Sequence, residues 1–590
     1  MNGAPRIAGG IPPGASGADL EFYRLADHYL ADLFEAYPSA STAAGFHRHD
    51  QRLDDWSAAG VRAKIALARR HQAALVNVDA ARLSPGSRVD LGILRADSEA
   101  TLLSLEELRP HERDPQFFVD LLGNSLLYLT LLDPDSPAWP ERLEGVRGRL
   151  EQVPDFLAAA RATLDRPARV VTEMVMQTNA GNIRFLSDAL PGLFGKAPGI
   201  RPALEAANRK AIAALHEFQT FVEQDLLPRS TGDWRLGGPL WGRKLRLTLQ
   251  SEMDAAAIAR RAEASIADLR RRMLETAGPL HARLFPGHSH AETGDDLVNI
   301  VVGEVIESIS ERRPTRATLF ETVRRAVDRI KGFLRDSDLI SLPPEDDRLA
   351  IEPTPGFLDG MAVAFFNPPP TLEPALKKSF WISSVPRGGS PEEDARIEAS
   401  FLREYNDYAL HGLAIHEAWP GHYVQYWHAY RSPMATLYKK VFSSGTFAEG
   451  WAVLAERLMF EAGYGADDPA FLLMHLKHGL RAPINALIDA RLHTGGGSDD
   501  DADRFTIDLL RRTGFQEETE ARGKLRRAKV TSTQLSTYFV GLIEMQDLLE
   551  DAVRAAGPGA SRKGILDRLL SFGTIPPRDV RALMGLSPAR

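Results

Sequence analysis

The sequence predicts a mainly α-helical protein with a small antiparallel β element near residues 345–385. Three observations predict this fold class. Apolar residues recur at spacings of three and four along most of the first 340 residues, as in amphipathic helices. Between residues 338 and 390 the composition changes to Pro, Gly, β-branched and aromatic residues, which favours short strands. The 590 residues also suffice for more than one lobe, since a domain has roughly 100–200 residues.

The first part of the chain predicts an arm followed by helices. Residues 1–17 are rich in Gly and Pro and predict a flexible N-terminal arm. The first helix contains Phe22, Tyr29 and Phe34 among its regularly spaced apolar residues and ends before Pro38. Further helical patterns occupy residues 61–78, 88–108, 141–164, 168–189, 200–226 and 253–276. We therefore assign residues 18–340 to an N-terminal helical lobe.

The second lobe, residues 341–590, begins with the β element. We expect two to four short strands, with two of them near Met361–Phe366 and Phe380–Ser384, and helices from about residue 393 almost to the end. The boundary is approximate, because the lobes are expected to intertwine. The stretch "RLHTGGGSDDDADRF" ends one helix at its three glycines, which places His493 in the last turn.

Composition and charge exclude several classes of protein. The net charge of −8 gives no basic surface for nucleic acid, and the chain has no cysteine for disulfides, thiolate catalysis or Cys-type zinc sites. The arginine-rich run 259–273 alternates with acids and apolar residues, as on a solvated helix. No signal-peptide pattern and no membrane-spanning window is present, so we expect a cytoplasmic protein with no membrane partner. The sequence leaves the oligomeric state open.

The stretch "LAIHEAWPGHYVQYW" carries the strongest chemical signal. It places two histidines, His416 and His422, six residues apart, beside Glu417. On a regular helix a six-residue step turns side chains about 240° apart, so the two could not share a metal. Pro420 cannot donate a helical hydrogen bond, however, and with Gly421 it predicts a kink or bulge. A helix distorted there would let both histidines bind one metal.

A catalytic zinc site also needs a third ligand and a base. Glu449 and Glu456 lie on one face of a helix about 30 residues later. We expect Glu449 to be the ligand and Glu456 to be a supporting acid. Glu417, next to the first histidine, is placed to act as general base. The alternative is a kinked helix whose histidines only cap or pack, but the combined pattern favours a metal site.

These motifs resemble a known bacterial family. The pattern His-Glu-x-x-Pro-Gly-His-x-x-Gln at 416–425 and Glu-Gly-Trp-Ala at 449–452 resembles the family called domain of unknown function 885. Further similar segments are "YPSASTAAGFHRHDQRLDD", Asp489 with His493, Gln534 with Tyr538 and Gly541, and "SFGTIPP". The resemblance covers about residues 18–585. It implies a two-lobed helical fold with a deep channel, similar to the thimet-oligopeptidase and angiotensin-converting-enzyme group.

The resemblance also implies roles for individual residues. His416, His422 and Glu449 would hold one zinc ion per chain, and Glu417 would be the base. His493 and Tyr538 would donate hydrogen bonds to the oxyanion that forms during hydrolysis.

Three positions depart from the family pattern. Asn485, Gly497 and Ser532 stand where Arg, Trp and Pro are expected, and Asn485 matters most. Arg481 or Arg491 would then bind a substrate carboxylate, or the substrate would differ.

The predicted function is zinc-dependent hydrolysis of short peptides, by a dipeptidase, carboxypeptidase or oligopeptidase. Two histidines and a carboxylate suit zinc better than cobalt or manganese. A metal-dependent amidohydrolase of a non-peptide amide or amino-acid conjugate is the first alternative. A non-catalytic binding protein is the second, and Glu417 argues against it, because a binder needs no base beside the metal.

Overall fold

The computed structural model describes residues 6–345, 347–355 and 363–587, and it confirms a mainly α-helical fold. Short 3₁₀ or π-type turns extend several helices. Within the described residues the α-helices are α1 (Gly17–Ala36), α2 (Pro38–Ala43), α3 (Ala58–Val76), α4 (Pro85–Leu103), α5 (Pro110–Arg113), α6 (Pro115–Leu129), α7 (Trp139–Thr163), α8 (Arg169–Arg184), α9 (Arg201–Phe221), α10 (Gly238–Leu249), α11 (Ala255–Leu284), α12 (Gly294–Ile309), α13 (Leu319–Ser337), α14 (Pro391–Glu404), α15 (Asp407–Glu417), α16 (His422–Arg431), α17 (Leu437–Val441), α18 (Gly445–Glu461), α19 (Pro469–Gly479), α20 (Arg481–Thr494), α21 (Asp499–Asp508), α22 (Glu518–Val530), α23 (Ser536–Ala556), α24 (Arg562–Ser571) and α25 (Pro577–Leu583).

The β element is a mixed sheet of three strands among the described residues. The strands are β1 (Leu349–Pro353), β2 (Ala364–Asn367) and β3 (Lys378–Ile382), with β3 in the centre. β2 pairs antiparallel with β3, but β1 pairs parallel with it, so the prediction of an antiparallel element is wrong for β1. The reason is that β2 reverses the chain and β3 then returns between β1 and β2. The two predicted strands correspond to β2 and β3, although Met361 lies outside the described residues.

The predicted flexible arm is anchored in its described part, residues 6–16. Ile7 is fully buried, and the backbone N–H groups of Arg6 and Ile7 donate to the Asp27 carboxylate over 2.6 and 3.0 Å. The Tyr438 hydroxyl donates to the carbonyl of Gly10 over 2.6 Å. Residues 6–16 therefore contact α1 and α17, which the prediction of a flexible arm did not include. One apolar side chain and one buried acid supply the anchors that the Gly- and Pro-rich composition concealed.

The hydrophobic cores divide the chain differently from the predicted lobes. One core lies within residues 53–226, where α9 buries Leu204, Ala207, Ala211, Leu215 and Phe218 at helical spacing against neighbours that include α7. A second core joins α10, α11 and α12 to α19, α20 and α23. Residues 241–306 therefore pack with the C-terminal half, and the predicted boundary at 340/341 does not separate two cores.

A cavity of about 2030 Å³ lies between α8 of the first core and the helices of the C-terminal half. Its wall also includes β2, α14, α22 and the helices that carry the histidine motif. In the parts of the chain that are described, no helix is both long and apolar enough to cross a membrane.

Candidate metal centre

The histidine motif lies on two helices rather than on one distorted helix. α15 ends at Glu417 and α16 begins at His422, and the peptide bond between Trp419 and Pro420 in the break is cis. The predicted distortion at Pro420 and Gly421 is confirmed, and it is a complete break. Gly421 is required there, because a Cβ at this position would lie 1.8 Å from the carbonyl oxygen of His416. The break turns the second helix so that both histidines face one point.

The three predicted ligands converge at this break. The Glu449 carboxylate oxygen Oε2 lies 3.3 Å from Nε2 of His416 and 3.6 Å from Nε2 of His422. The two imidazole rings are nearly perpendicular, at 89°. Bonds of about 2.0–2.1 Å around a tetrahedral zinc ion place ligand atoms about 3.3 Å apart. The donor set therefore fits zinc, and three protein ligands leave a fourth position for water or substrate.

Two glycines bring Glu449 to the site. α18 and α23 cross where Gly450 meets Gly541, and a Cβ on Gly450 would lie 2.3 Å from the carbonyl carbon of Gly541. Trp451 also donates from Nε1 to the carbonyl of Pro420 over 3.0 Å, which ties α18 to the helix break. Only glycine permits this approach of two backbones, and it places Glu449 beside the helix that carries Tyr538.

Glu456 supports His416 from behind. Its Oε1 lies 2.8 Å from Nδ1 of His416, the ring nitrogen that faces away from Glu449, and the side chain is buried. A carboxylate in this position fixes the tautomer and orientation of a metal-binding histidine. The predicted supporting role of Glu456 agrees with this geometry.

Glu417, the predicted general base, is the last residue of α15. It lines the cavity, and its Oε2 accepts a hydrogen bond of 2.7 Å from the backbone N–H of Phe366 in β2. Burial raises the pKa of Glu417, and the nearby His416 and His422 partly oppose that shift. For Glu449 burial also acts to raise the pKa, but hydrogen bonds from both histidines lower the pKa well below its usual value. The two glutamates therefore have opposite shifts in pKa, because only Glu449 is hydrogen-bonded to both histidines.

Tyr538 also lines the cavity, with its ring centre 6.5 Å from that of His416. Its hydroxyl oxygen accepts hydrogen bonds from Arg527 Nη2 at 3.2 Å and from Gln534 Nε2 at 3.4 Å. Burial raises the pKa of Tyr538, so the phenol keeps its proton at neutral pH. Because both contacts use the oxygen as acceptor, the hydroxyl hydrogen remains available to a substrate.

The structure does not bring His493 to the cavity wall. Its Nε2 lies 2.9 Å from the carbonyl oxygen of Ala528, and its ring meets Trp234 edge-on at 5.5 Å. Asp489, one turn earlier, accepts hydrogen bonds from Trp241 and from the backbone at Thr533 and Ser536. This face of α20 packs into the helical core, so the structure places His493 away from the cavity lining, where the predicted oxyanion role would require it.

The two arginines predicted to bind substrate lie in different parts of the structure. Arg481 lines the cavity, but its guanidinium pairs with the buried Glu404 and lies 3.5 Å from Glu520. Arg491 is exposed and stacks on Phe505 at 4.0 Å, away from the cavity. The structure therefore places Arg491 outside the cavity lining, and Arg481 is already paired within the protein.

The family described as "Bacterial protein of unknown function (DUF885)" matches residues 38–584. The chain belongs to this family. The predicted family membership is thus confirmed, and no curated protein matches this DUF885 chain.

Solved structures share the fold of the DUF885 chain. One is a "putative lipoprotein of unknown function" from Shewanella oneidensis, with TM-score 0.77 and 24% identity over 95% of this chain and 99% of that one. Another is a "putative lipoprotein" from Colwellia psychrerythraea, with TM-score 0.72 and 15% identity over 96% and 99% of the two chains. These similarities show the fold alone, and the cytoplasmic location stays a prediction.

Sequence reasoning missed two residues of the DUF885 site. Arg527 contacts Tyr538 from α22, and His478 lines the cavity with its Nε2 3.6 Å from Oε2 of Glu456. Burial lowers the pKa of His478 well below its usual value, so this imidazole is neutral at pH 7. Neither residue belongs to a recognisable motif, because each reaches the site through the packing of a separate helix.

Proposed function

We propose that this chain is a zinc-dependent metallopeptidase that hydrolyses short peptides. The observation that carries the proposal is the convergence of His416, His422 and Glu449 at the helix break, with Glu417 on the same cavity wall. This is the arrangement of two histidines, one carboxylate and one adjacent base that a hydrolytic zinc site requires. The likeness to thimet oligopeptidase and angiotensin-converting enzyme that the motif suggests is part of the proposal.

Zinc held by these three ligands would polarise the scissile carbonyl and lower the pKa of the attacking water. Glu417 is anchored through Oε2 to Phe366, and among the described residues no group is bonded to Oε1, which would take the proton from that water. The same oxygen then delivers the proton to the leaving amine. The Tyr538 hydroxyl, positioned by Arg527 and Gln534, donates a hydrogen bond to the oxyanion that develops on the carbonyl oxygen.

The cavity walls favour an extended peptide. Ala364 and Phe366 of the edge strand β2 line the cavity, and the N–H of Phe366 points away from β3 toward Glu417. Since backbone groups alternate along a strand, Ala364 presents its N–H and C=O on the same free edge. A peptide paired with this edge would run past the base, which is the strand-addition mode of peptide recognition.

A second candidate function rests on Arg481. Because Glu404 neutralises this arginine and Asn485 replaces the expected one, neither position supplies a free cation for a peptide carboxylate. This favours, as the alternative, a metal-dependent amidohydrolase acting on a non-peptide amide or an amino-acid conjugate. A panel of dipeptides, longer peptides and acyl-amino acids separates the two activities.

The testing experiment combines metal content with turnover. Protein purified without a histidine tag is analysed for zinc and assayed on the panel, as wild type and as the variants His422→Ala and Glu417→Gln. We expect His422→Ala to lose one zinc equivalent, and Glu417→Gln to keep its zinc while kcat falls about 10²–10⁴-fold.

The matched control is Glu518→Gln, a carboxyl-to-amide change in the same cavity lining, where the side chain pairs with Arg522 and is 43% exposed. It should leave kcat unchanged. An active Glu417→Gln variant, or a zinc content that His422→Ala does not alter, contradicts the proposal. A metal-binding wild type that cleaves nothing in the panel supports a binding protein instead.

A further inference from the structure

A second group of histidines lies outside the cavity, at the connection between α11 and α12. His281 is in the last turn of α11, His288 and His290 are in the connecting loop, and Glu304 projects from α12. Each of the four offers one ligand atom, and these atoms all lie within 4.8 Å of one another. We call these four residues the loop cluster.

The local sequence explains how the loop reaches back to the helices. Phe285 is the C-cap residue that follows α11. The backbone N–H of His288 donates to the carbonyl of Phe285 over 3.1 Å, which closes a tight turn through Pro286 and Gly287. Gly287 has a φ of +78°, a conformation that glycine adopts without strain. The turn directs His288 and His290 back toward α11 and α12.

The three imidazoles converge on a single carboxylate oxygen. Oε2 of Glu304 lies 2.6 Å from Nε2 of His281, 3.2 Å from Nε2 of His290 and 3.6 Å from Nδ1 of His288. In addition, Nε2 of His281 and Nε2 of His290 face each other at 3.3 Å. That separation equals the distance of about 3.3 Å between two ligands of a tetrahedral zinc ion.

Direct hydrogen bonding alone is a poor account of this convergence. Two facing ring nitrogens can share only one proton, and one carboxylate oxygen serves three imidazoles. An ion at the common point would be bound by all four groups at once. Its entry requires His281 and Glu304, the closest pair, to separate by about 0.7 Å to reach tetrahedral spacing.

The loop cluster is buried on one side and open to solvent on the other. The side chains of His281 and His290 are only 7% and 10% exposed, so packing holds them in place. The side chain of His288 is 48% exposed and forms the open side through which an ion can enter.

We propose that His281, His288, His290 and Glu304 bind one zinc ion in a structural site that fixes the loop between α11 and α12. Four protein ligands close the coordination sphere, as in zinc sites that stabilise a fold rather than catalyse a reaction. Imidazole-rich sets also bind nickel and copper, and zinc is the ion that suits a tetrahedral set of three nitrogens and one oxygen best. The inference does not depend on the proposed peptidase activity.

The test counts zinc ions in a set of tagless variants. Each protein is stripped with a chelator, reloaded with zinc, desalted and analysed for metal. We expect two equivalents in the wild type, one in His422→Ala, one in the double variant His288→Ala/His290→Ala, and none in the triple variant. His216→Ala, at an exposed histidine outside both clusters, is the matched control and should keep two.

A second measurement uses stability and loop protection instead of stoichiometry. In the His422→Ala background, zinc should raise the melting temperature and slow proteolytic cleavage between residues 285 and 293. Both effects should vanish when His288 and His290 are also replaced.

Either of two results overturns the loop site: His422→Ala that binds no zinc, or a double variant that folds, by circular dichroism, and still holds two equivalents. The first leaves the catalytic proposal intact if the wild type holds one zinc. Conversely, failure of the peptidase proposal does not change the number of zinc ions expected at the loop cluster.

Discussion

The cavity cluster and the loop cluster use the same side chains in different surroundings. Around a metal ion in the cavity, His416, His422 and Glu449 would leave one coordination position open, with Glu417 on the same cavity wall. At the loop, the four residues would fill a tetrahedral coordination sphere and leave no position for water. Ligand number and the neighbouring base, rather than the presence of histidine and glutamate, therefore distinguish a site arranged for hydrolysis from one arranged for stability.

The two clusters also differ in how the fold supports them. The cavity ligands come from helices joined by a Pro-Gly break and a glycine crossing, and Glu456 holds His416 from behind. The loop ligands come from one helix end, the following loop and the next helix. Damage to the helix packing should therefore empty the cavity cluster and leave the loop cluster filled.

Gly450→Ala should break this comparison most strongly. The added methyl would lie 2.3 Å from the backbone of Gly541, so α18 and α23 must separate and Glu449 moves away from the histidines. We expect the free energy of unfolding to fall by about 3 kcal/mol and one zinc equivalent to be lost. Gly332→Ala, in a helix with open space around the position, is the control and should not destabilise the protein. Denaturant unfolding and metal analysis measure both effects, and an unchanged zinc content would refute the role of the crossing.

Glu404→Gln tests the charged network beside the cavity. Glu404 is buried and pairs with Lys477 at 2.9 Å and with Arg481. Burial alone would raise the pKa of Glu404, but these two cations lower the pKa to about 2. Because the folded pKa lies below the unfolded value of about 4.5, the carboxylate stabilises the fold above pH 4.5, and this contribution is lost as the pH falls toward 2. We expect Glu404→Gln to lower the free energy of unfolding by about 3 kcal/mol at pH 7.

The pH dependence provides the control for that prediction. Between pH 4.5 and 2 the stability of the wild type should fall more steeply than that of Glu404→Gln, as followed by urea unfolding at each pH. Parallel curves would show that Glu404 titrates normally.

Tyr538→Phe should separate catalysis from metal binding. Removing the hydroxyl hydrogen takes away one donor to the oxyanion, so kcat should fall about 10²-fold with zinc content and KM little changed. Tyr430→Phe, which removes a hydroxyl from the same cavity wall where it contacts Thr371, is the matched control. Equal kcat values for the two variants would remove Tyr538 from the mechanism.

Glu456→Gln should give the smallest effect, and only at the cavity cluster. The amide no longer polarises His416, so zinc affinity should weaken about 10–100-fold at that cluster. Competition with a chromophoric chelator should resolve the two affinities, with that of the loop cluster unchanged. If both affinities move together, the two clusters are coupled.

The sequence predicted those parts of the site that lie in short, dense motifs. His416, Glu417 and His422 fall within seven residues, and the Pro-Gly pair predicts the helix break between the two histidines. Glu449 could be predicted from the sequence because Gly450 and Trp451, which follow it, mark its helix. Tyr538 was predicted from family resemblance, and the structure places it at the cavity.

Residues whose placement depends on packing could not be predicted. His493 lies on a helix face whose direction is set by tertiary contacts with Trp234 and Ala528, so its position in a motif was misleading. The parallel pairing of β1 depends on where the chain returns, which no local pattern encodes. The loop cluster did leave a signal, three histidines within ten residues, but its fourth member, Glu304, joins only when α12 packs beside α11.

The hydrogen bond from Phe366 to Glu417 separates two properties that enzymes often couple. The donor is a main-chain N–H, so every residue except proline supplies it equally. The side chain at position 366 packs against Tyr423 and Tyr426, so a substitution that keeps this packing also keeps the hydrogen bond to Glu417. Under the proposed mechanism, evolution could change substrate preference at this cavity position while the base keeps its anchor.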